Sequence, residues 1–237
     1  MASSSVIAVP DTRKLPIAPW WHTVLVIAPI VIASVAGAYQ HGLPNANLPG
    51  VSHRLSSYYT VLIEEWFGVF LVWLALRRRG LKVDILVSVR WHSPRAFFRD
   101  LGLALGFMVV VIPLVGVLAY LLGANTNSAV ANIPPKTMFE LLVFLVLAAS
   151  AGFAEELVFR GYLTKQLSAW TNSSAIAVIL QGTVFGLAHG FYGKAMLAVM
   201  VQGWLLGLLA HWRKSLRVGM LAHGLQDSIG GIVAFFP

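Results

Sequence analysis

Apolar runs long enough to cross a lipid bilayer recur from Trp20 to the C-terminus, separated by short polar loops, and they constrain the fold more than any other feature. A hydrocarbon layer about 30 Å thick is spanned by about 20 helical residues at 1.5 Å each, and the backbone inside it must satisfy its own hydrogen bonds. Of 237 residues, 58% are hydrophobic and 11% charged. Together with a mean hydropathy of +0.77, these values exclude a soluble domain of this size. The expected fold is an all-α, polytopic transmembrane helix bundle. The runs define about seven spans with a cytosolic N-terminus. The absence of cysteine excludes disulfides, cysteine nucleophiles and thiolate metal sites. The formal net charge of +8 does not point to nucleic acid, because the basic residues sit between apolar runs and not on one amphipathic face. They read as topology signals and as contacts with membrane lipids.

Residues 1–19 read as a cytosolic tail, and residues 20–237 as a single membrane domain. The first span is expected over Trp20–Tyr39, where Ala36-Gly37-Ala38 imitates a signal-peptidase site but the length of the run favours a retained helix. His41–Ser57 reads as a linker, and its Ser52-His53 pair lacks the context of a serine nucleophile. A second span over 58–76 carries Glu64-Glu65, read as an inter-helix polar contact. A basic segment from Arg77 to Arg99 follows, whose alternation at Leu81–Ile85 predicts a surface-lying piece. The third span, about 98–122, sets Gly102 and Gly106 on one face, read as close packing, with a kink at Pro113. The remaining spans are expected over 136–168, 173–189, 194–211 and from after Arg217 to Pro237. Gly182, Gly186 and Gly190 form a row that admits another helix, and Gly203 and Gly207 do likewise on the sixth span. A cytosolic N-terminus leaves only Arg54, Lys136 and Lys194 among the basic residues on the far side.

Within the fourth span, Ala151-Gly-Phe-Ala-Glu-Glu-Leu-Val-Phe-Arg160 places two adjacent carboxylates and an arginine in an apolar run. On a helix Glu156 and Arg160 stand at i and i+4, in the order that favours an ion pair, whereas Glu155 is rotated about 100° away and stays available as a proton acceptor. His189 on the fifth span and His223 on the seventh come to similar depth when counted at 1.5 Å per residue, and Asp227 shares a face with His223. Ionisable groups inside a membrane are rare and usually functional. The set permits two ways of activating water. Glu155, His189 and His223 could bind a divalent metal, most plausibly zinc, that lowers the pKa of a bound water. Alternatively, Glu155 and His189 hold and deprotonate the water without a metal, while His223 and its neighbour Asp227 stabilise the oxyanion.

Glu155-Glu156-x-x-x-Arg160, Phe185-x-x-x-His189 and His223-x-x-x-Asp227, in this order on separate apolar segments, resemble the CAAX protease and bacteriocin-processing (Abi, or CPBP) family of intramembrane proteases. The resemblance covers roughly residues 137–230, the expected catalytic core. It implies a multi-pass intramembrane (metallo)endopeptidase with Glu155 as the base, Glu156 paired to Arg160, and a membrane-associated polypeptide as substrate. In the type II CAAX prenyl endopeptidases of that family, which trim prenylated C-termini, asparagine stands where this chain has Asp227. Aspartate there is commoner among bacterial-type relatives and argues against a simple amide oxyanion role. The expected location is integral to a membrane, with the bacterial inner membrane favoured over the endoplasmic reticulum. Two other classes compete: a non-catalytic membrane immunity or interaction protein, and a proton-coupled carrier using Glu64, Glu65 and Glu155. The carrier reading lacks an evident inverted repeat.

Overall fold

A computed structural model describes residues 15–41, 51–87, 91–124 and 133–236, with the side chains of 37–41 and 51–53 outside the description. The tail before Leu15, most of the His41–Ser57 linker, the side chains of the Ser52-His53 pair, Arg90 and most of the loop before Pro135 thus lie outside what is described. The described residues form helices throughout: α1 (Trp20–His41), α2 (Val51–Arg78), α3 (Pro94–Leu121), α4 (Met138–Glu155), a π-helical segment (Glu156–Leu163) continuing into α5 (Thr164–Thr171), α6 (Ser174–Leu187), a 3-10 segment (Gly190–Ala195), α7 (Met196–Arg213) and α8 (Arg217–Phe235).

Four of these helical stretches, Arg54–Arg78, Pro94–Leu121, Met138–Thr171 and Gly190–Arg213, are long and apolar enough to cross a membrane. Two of the other expected spans are shorter apolar helices, Trp20–Ala36 and Ser174–Leu187. At 1.5 Å per residue the latter extends only about 21 Å. The last, α8, carries His223, Gln226 and Asp227 along 19 residues. The bundle presents its apolar side chains outward, with Ile63, Val109 and Leu121 each at least 70% exposed. That exterior suits lipid, where no water competes for the side chains.

The interior is built around the π segment, whose eight residues are all buried. Val72 and Leu76 of α2, Phe185 of α6 and Leu216 pack against Phe159 and Tyr162 in one apolar cluster. Polar bonds tie α1 to the same region. Tyr162 Oη lies 2.9 Å from both His22 Nδ1 and Thr23 Oγ1, and Gln166 Nε2 donates to Ala18 O and Thr23 Oγ1 at 2.8 Å. Ion pairs close the two ends of the bundle. At one, Asp100 of α3 pairs with Arg99, Arg213 and Arg217, each at 3.1 Å. At the other, Glu140 accepts from the backbone N–H groups of Lys136 and Thr137 at the start of α4 and pairs with Arg54 of α2 at 3.1 Å.

Several sequence expectations are revised. Helix α2 begins at Val51, not near Tyr58, because Arg54, Ser56 and Ser57 are helical residues lining an internal cavity and not a loop. Helix α3 starts at Pro94 and not near Phe98, behind a Ser93 N-cap, and Pro113 lies inside it. A Cβ on Gly102 or Gly106 would meet nothing within 4 Å among the described residues, so they make no close packing there. The expected surface-lying piece Leu81–Ile85 is exposed at Lys82, Asp84 and Ile85 and half-buried at Leu81 and Val83, and the chain turns inward only beyond it, at the buried Leu86 and Val87. Of the glycine row on α6, Gly182 and Gly186 meet α7, but Gly190 faces Ser34 of α1.

A close helix crossing lies beside the motif. A Cβ on Gly152 would stand 2.6 Å from Gly224 N and 2.8 Å from Met220 O, so α4 and α8 touch backbone to backbone. Gly152→Ala is expected to force them apart and lower stability by about 1–3 kcal/mol, the usual range for overpacking. Thermal unfolding in detergent checks this, with Gly102→Ala, in open space, as the neutral control.

Candidate active site

The two adjacent glutamates part at the junction of α4 and the π segment. Glu155 keeps 19% of its side-chain exposure and faces a cavity, whereas Glu156 is at 0%. The wider π turn leaves its trace at Thr164, whose N–H and hydroxyl both reach Phe159 O five residues back. Such segments recur at functional sites. Glu156 Oε1 pairs with Arg160 Nη1 at 3.0 Å, inside the bundle. The guanidinium lies over the Phe185 ring at 3.9 Å from its centroid, a cation–π contact that stabilises a desolvated charge.

Glu156 has a second partner that the sequence does not announce. His223 Nδ1 lies 3.3 Å from Glu156 Oε1, so the ring donates Nδ1–H to the carboxylate and turns Nε2 the other way. There Nε2 stands 3.8 Å from Glu155 Oε2 and 3.5 Å from Asp227 Oδ2. The close approach depends on Gly219, where a Cβ would sit 2.7 Å from Glu156 Oε2.

His189 arrives from the end of α6, just before the 3-10 segment. Its Nδ1 is 2.9 Å from Phe185 O, and because a carbonyl only accepts, Nδ1 carries the proton and Nε2 is the free acceptor. That Nε2 is 4.0 Å from Glu155 Oε2. Tyr192 stacks on the outer side of the ring at 5.7 Å and 26°, and Phe185 borders it at 4.6 Å.

All six residues singled out in the sequence thus meet at one place. Glu155, His189, His223 and Asp227 surround a common point, and Glu156 and Arg160 lie behind His223. Glu155 Oε2 is buried and has no hydrogen-bond partner among the described residues. Such an orphan acceptor costs about 1–3 kcal/mol unless water or substrate satisfies it. The gaps of 3.8 and 4.0 Å are those a bridging water fills. They exceed the separation of about 3.3 Å that two ligands on tetrahedral zinc adopt with bonds of about 2.0–2.1 Å. Among the described residues no three His, Cys, Asp or Glu side chains converge as a metal site, so the donor set does not fit zinc as it stands.

A cavity of about 1040 Å³ adjoins the cluster and runs between α2, α4 and α8, from Glu155, His189 and Asp227 toward Arg54 and Ile133. Its volume accommodates an extended peptide segment of a few residues. Glu65 also lines it. The expected inter-helix contact of Glu64-Glu65 belongs to Glu65, whose Oε2 accepts from Ser150 Oγ of α4 at 2.8 Å, while Glu64 is exposed.

Residues 137–229 match the family model described as Type II CAAX prenyl endopeptidase Rce1-like. The uncharacterized protein YpbD of Bacillus subtilis (strain 168) is 35% identical over 91 residues, 37% of this chain and 42% of that relative, so the chain spans less than half of the relative's length. No solved structure matches. The matched stretch, which holds all six converging side chains, makes this part of the chain similar to the Rce1-like, type II CAAX prenyl endopeptidases, within the wider family that its motifs resemble.

Proposed function

We propose that the protein is an intramembrane endopeptidase that hydrolyses a peptide bond of a membrane-associated polypeptide with water activated by Glu155. The observation that carries this reading is the orphaned Glu155 Oε2, placed opposite two imidazole Nε2 atoms on a peptide-sized cavity. A water there gives one proton to a hydrogen bond with Glu155 and the other to His189 Nε2, whose tautomer Phe185 O fixes. Its lone pair is then directed at a substrate carbonyl. As the C–O bond forms, Glu155 takes the proton.

His223 has carboxylate oxygens facing both ring nitrogens, so with both protonated it donates Nε2–H to the developing oxyanion. Asp227 orients the ring and takes no part as a direct oxyanion donor. Collapse of the tetrahedral intermediate breaks the C–N bond, and the proton held by Glu155 passes to the leaving amine. The products are a carboxylic acid and an amine. Glu156 and Arg160 act as positioning residues through His223. No step passes through a metal. The basic-residue pattern favours a cytosolic N-terminus, and the bacterial inner membrane is the location we propose.

The test is cleavage of membrane-associated peptides by purified protein. His189→Ala and His223→Ala are each expected to lower kcat by about 10²–10³-fold with the protein still folded. Chelation and zinc add-back are expected to leave turnover within about twofold, in keeping with the wide ligand spacing. Zinc-dependent restoration of activity would overturn the metal-free route. A biological effect that survives both histidine substitutions would instead point to an interaction protein.

A further inference from the structure

Outside the converging cluster, Glu65 is a built acceptor without a complete set of donors. Trp66 Nε1 donates to Ser150 Oγ at 2.9 Å, and Ser150 Oγ donates to Glu65 Oε2 at 2.8 Å. The donor chain ends on the carboxylate and fixes its orientation. The other oxygen, Oε1, is buried with no hydrogen-bond partner among the described residues. The residue as a whole is 8% exposed and lines the cavity. A buried carboxylate oxygen left this way calls for a donor from what enters the cavity.

The ionisable groups on the cavity wall are mainly acidic. Glu64, Glu65, Glu155 and Asp227 all line the cavity, and Glu65 is within electrostatic reach of Glu155, His223 and Asp227. The cation lining the cavity among the described residues, Arg54, is already paired with Glu140. Ser150 precedes Glu155 by five positions on α4, a rise of about 7.5 Å at 1.5 Å per residue. An extended peptide advances about 3.3 Å per residue, so Glu65 falls two to three residues from the bond presented to Glu155.

We infer that Glu65, held by Ser150 and Trp66, is a substrate subsite for a protonated nitrogen two to three residues from the scissile bond, so that the cavity selects a polypeptide with a basic side chain there over one with an acidic group. This rests on the peptidase reading for the position of the bond, but the binding of the cation does not depend on hydrolysis. A lysine or arginine side chain and a free terminal amine share this chemistry.

The experiment uses full-length protein in lipid nanodiscs and one apolar peptide series bearing Lys, Ala or Glu two or three residues from the cleaved bond. Each peptide is made with free and acetylated N-termini. The Lys peptide is expected to exceed the Glu peptide at least 10-fold in kcat/KM, with or without acetylation. In Glu65→Gln that ratio is expected to fall to within about threefold, and in Glu65→Asp to be partly kept. The Ala peptide on each sample reports the active folded fraction, so misfolding cannot mimic the change in ratio. Binding of the same peptides to Glu155→Gln, as a ratio of Kd values, reads the subsite where turnover is slow. Cleavage or binding blind to the charge, or a preference unchanged in Glu65→Gln, overturns the inference and leaves the peptidase reading standing. A preference that vanishes on acetylation transfers the subsite to a terminal amine and overturns the side-chain assignment. Charge-selective binding without hydrolysis overturns the peptidase reading and keeps the subsite.

Discussion

Glu155→Gln is expected to lower peptide turnover about a thousandfold, within the range that a positioned general base contributes. The amide keeps the size of the side chain and loses the basic oxygen. Stability should hardly change, because Glu155 Oε2 makes no hydrogen bond among the described residues and its nearest imidazole nitrogens are 3.8 and 4.0 Å away. A residue built for stability would behave in the opposite way, with its loss felt in folding and not in rate. The two quantities, kcat and the unfolding midpoint, are therefore read on the same purified samples. A Gln variant that still turns over within tenfold of the parent would remove Glu155 from the role of base.

The neighbouring glutamate should show the reverse balance of effects. Glu156 and Arg160 form an ion pair in which both side chains are fully buried. Three guanidinium nitrogens of Arg160 have no hydrogen-bond partner among the described residues, so the charge leans on Glu156 and on the Phe185 ring. Removing either partner leaves an uncompensated buried charge, and Glu156→Leu or Arg160→Met alone is expected to destabilise by about 3–5 kcal/mol. The double substitution restores an apolar interior and should recover most of that loss, because a buried pair is often no more stable than hydrophobic residues of similar volume. Activity should not return with stability, since His223 Nδ1 loses its acceptor Glu156 Oε1 and the ring is no longer held toward Glu155. Denaturant or thermal unfolding of the two single variants and the double, with turnover beside it, separates the two effects. An active double variant would show that Glu156 does not position His223.

The features that could be read from the sequence follow from the fixed geometry of the helix. Glu156 and Arg160, and likewise His223 and Asp227, are neighbours at i and i+4 whatever surrounds them. Depth along a span is set by rise per residue, which is why three separate counts agree with a cluster of contacts under about 4 Å. Contacts decided between helices leave no such mark. Nothing local in Glu156–Leu163 marks a π segment, and the second use of Glu156 as acceptor for His223 requires knowing that Gly219 lies beneath it. Gly102 and Gly106 have the spacing of a packing face but look outward, because spacing does not say which face meets lipid. Ser56 and Ser57 read as loop for their polarity, and the cavity they line is a tertiary feature. Glu65 was legible as an inter-helix contact, while its place on the cavity wall depends on how α2 leans on α4.

The most direct measurement is an experimental density map of the full chain in lipid, at a resolution that shows ordered water beside Glu155. The expected result is a single water within about 3 Å of Glu155 Oε2 and of the Nε2 atoms of His189 and His223. A Glu155 carboxylate turned to the lipid, or standing too far from both imidazoles for one water to bridge them, would contradict it.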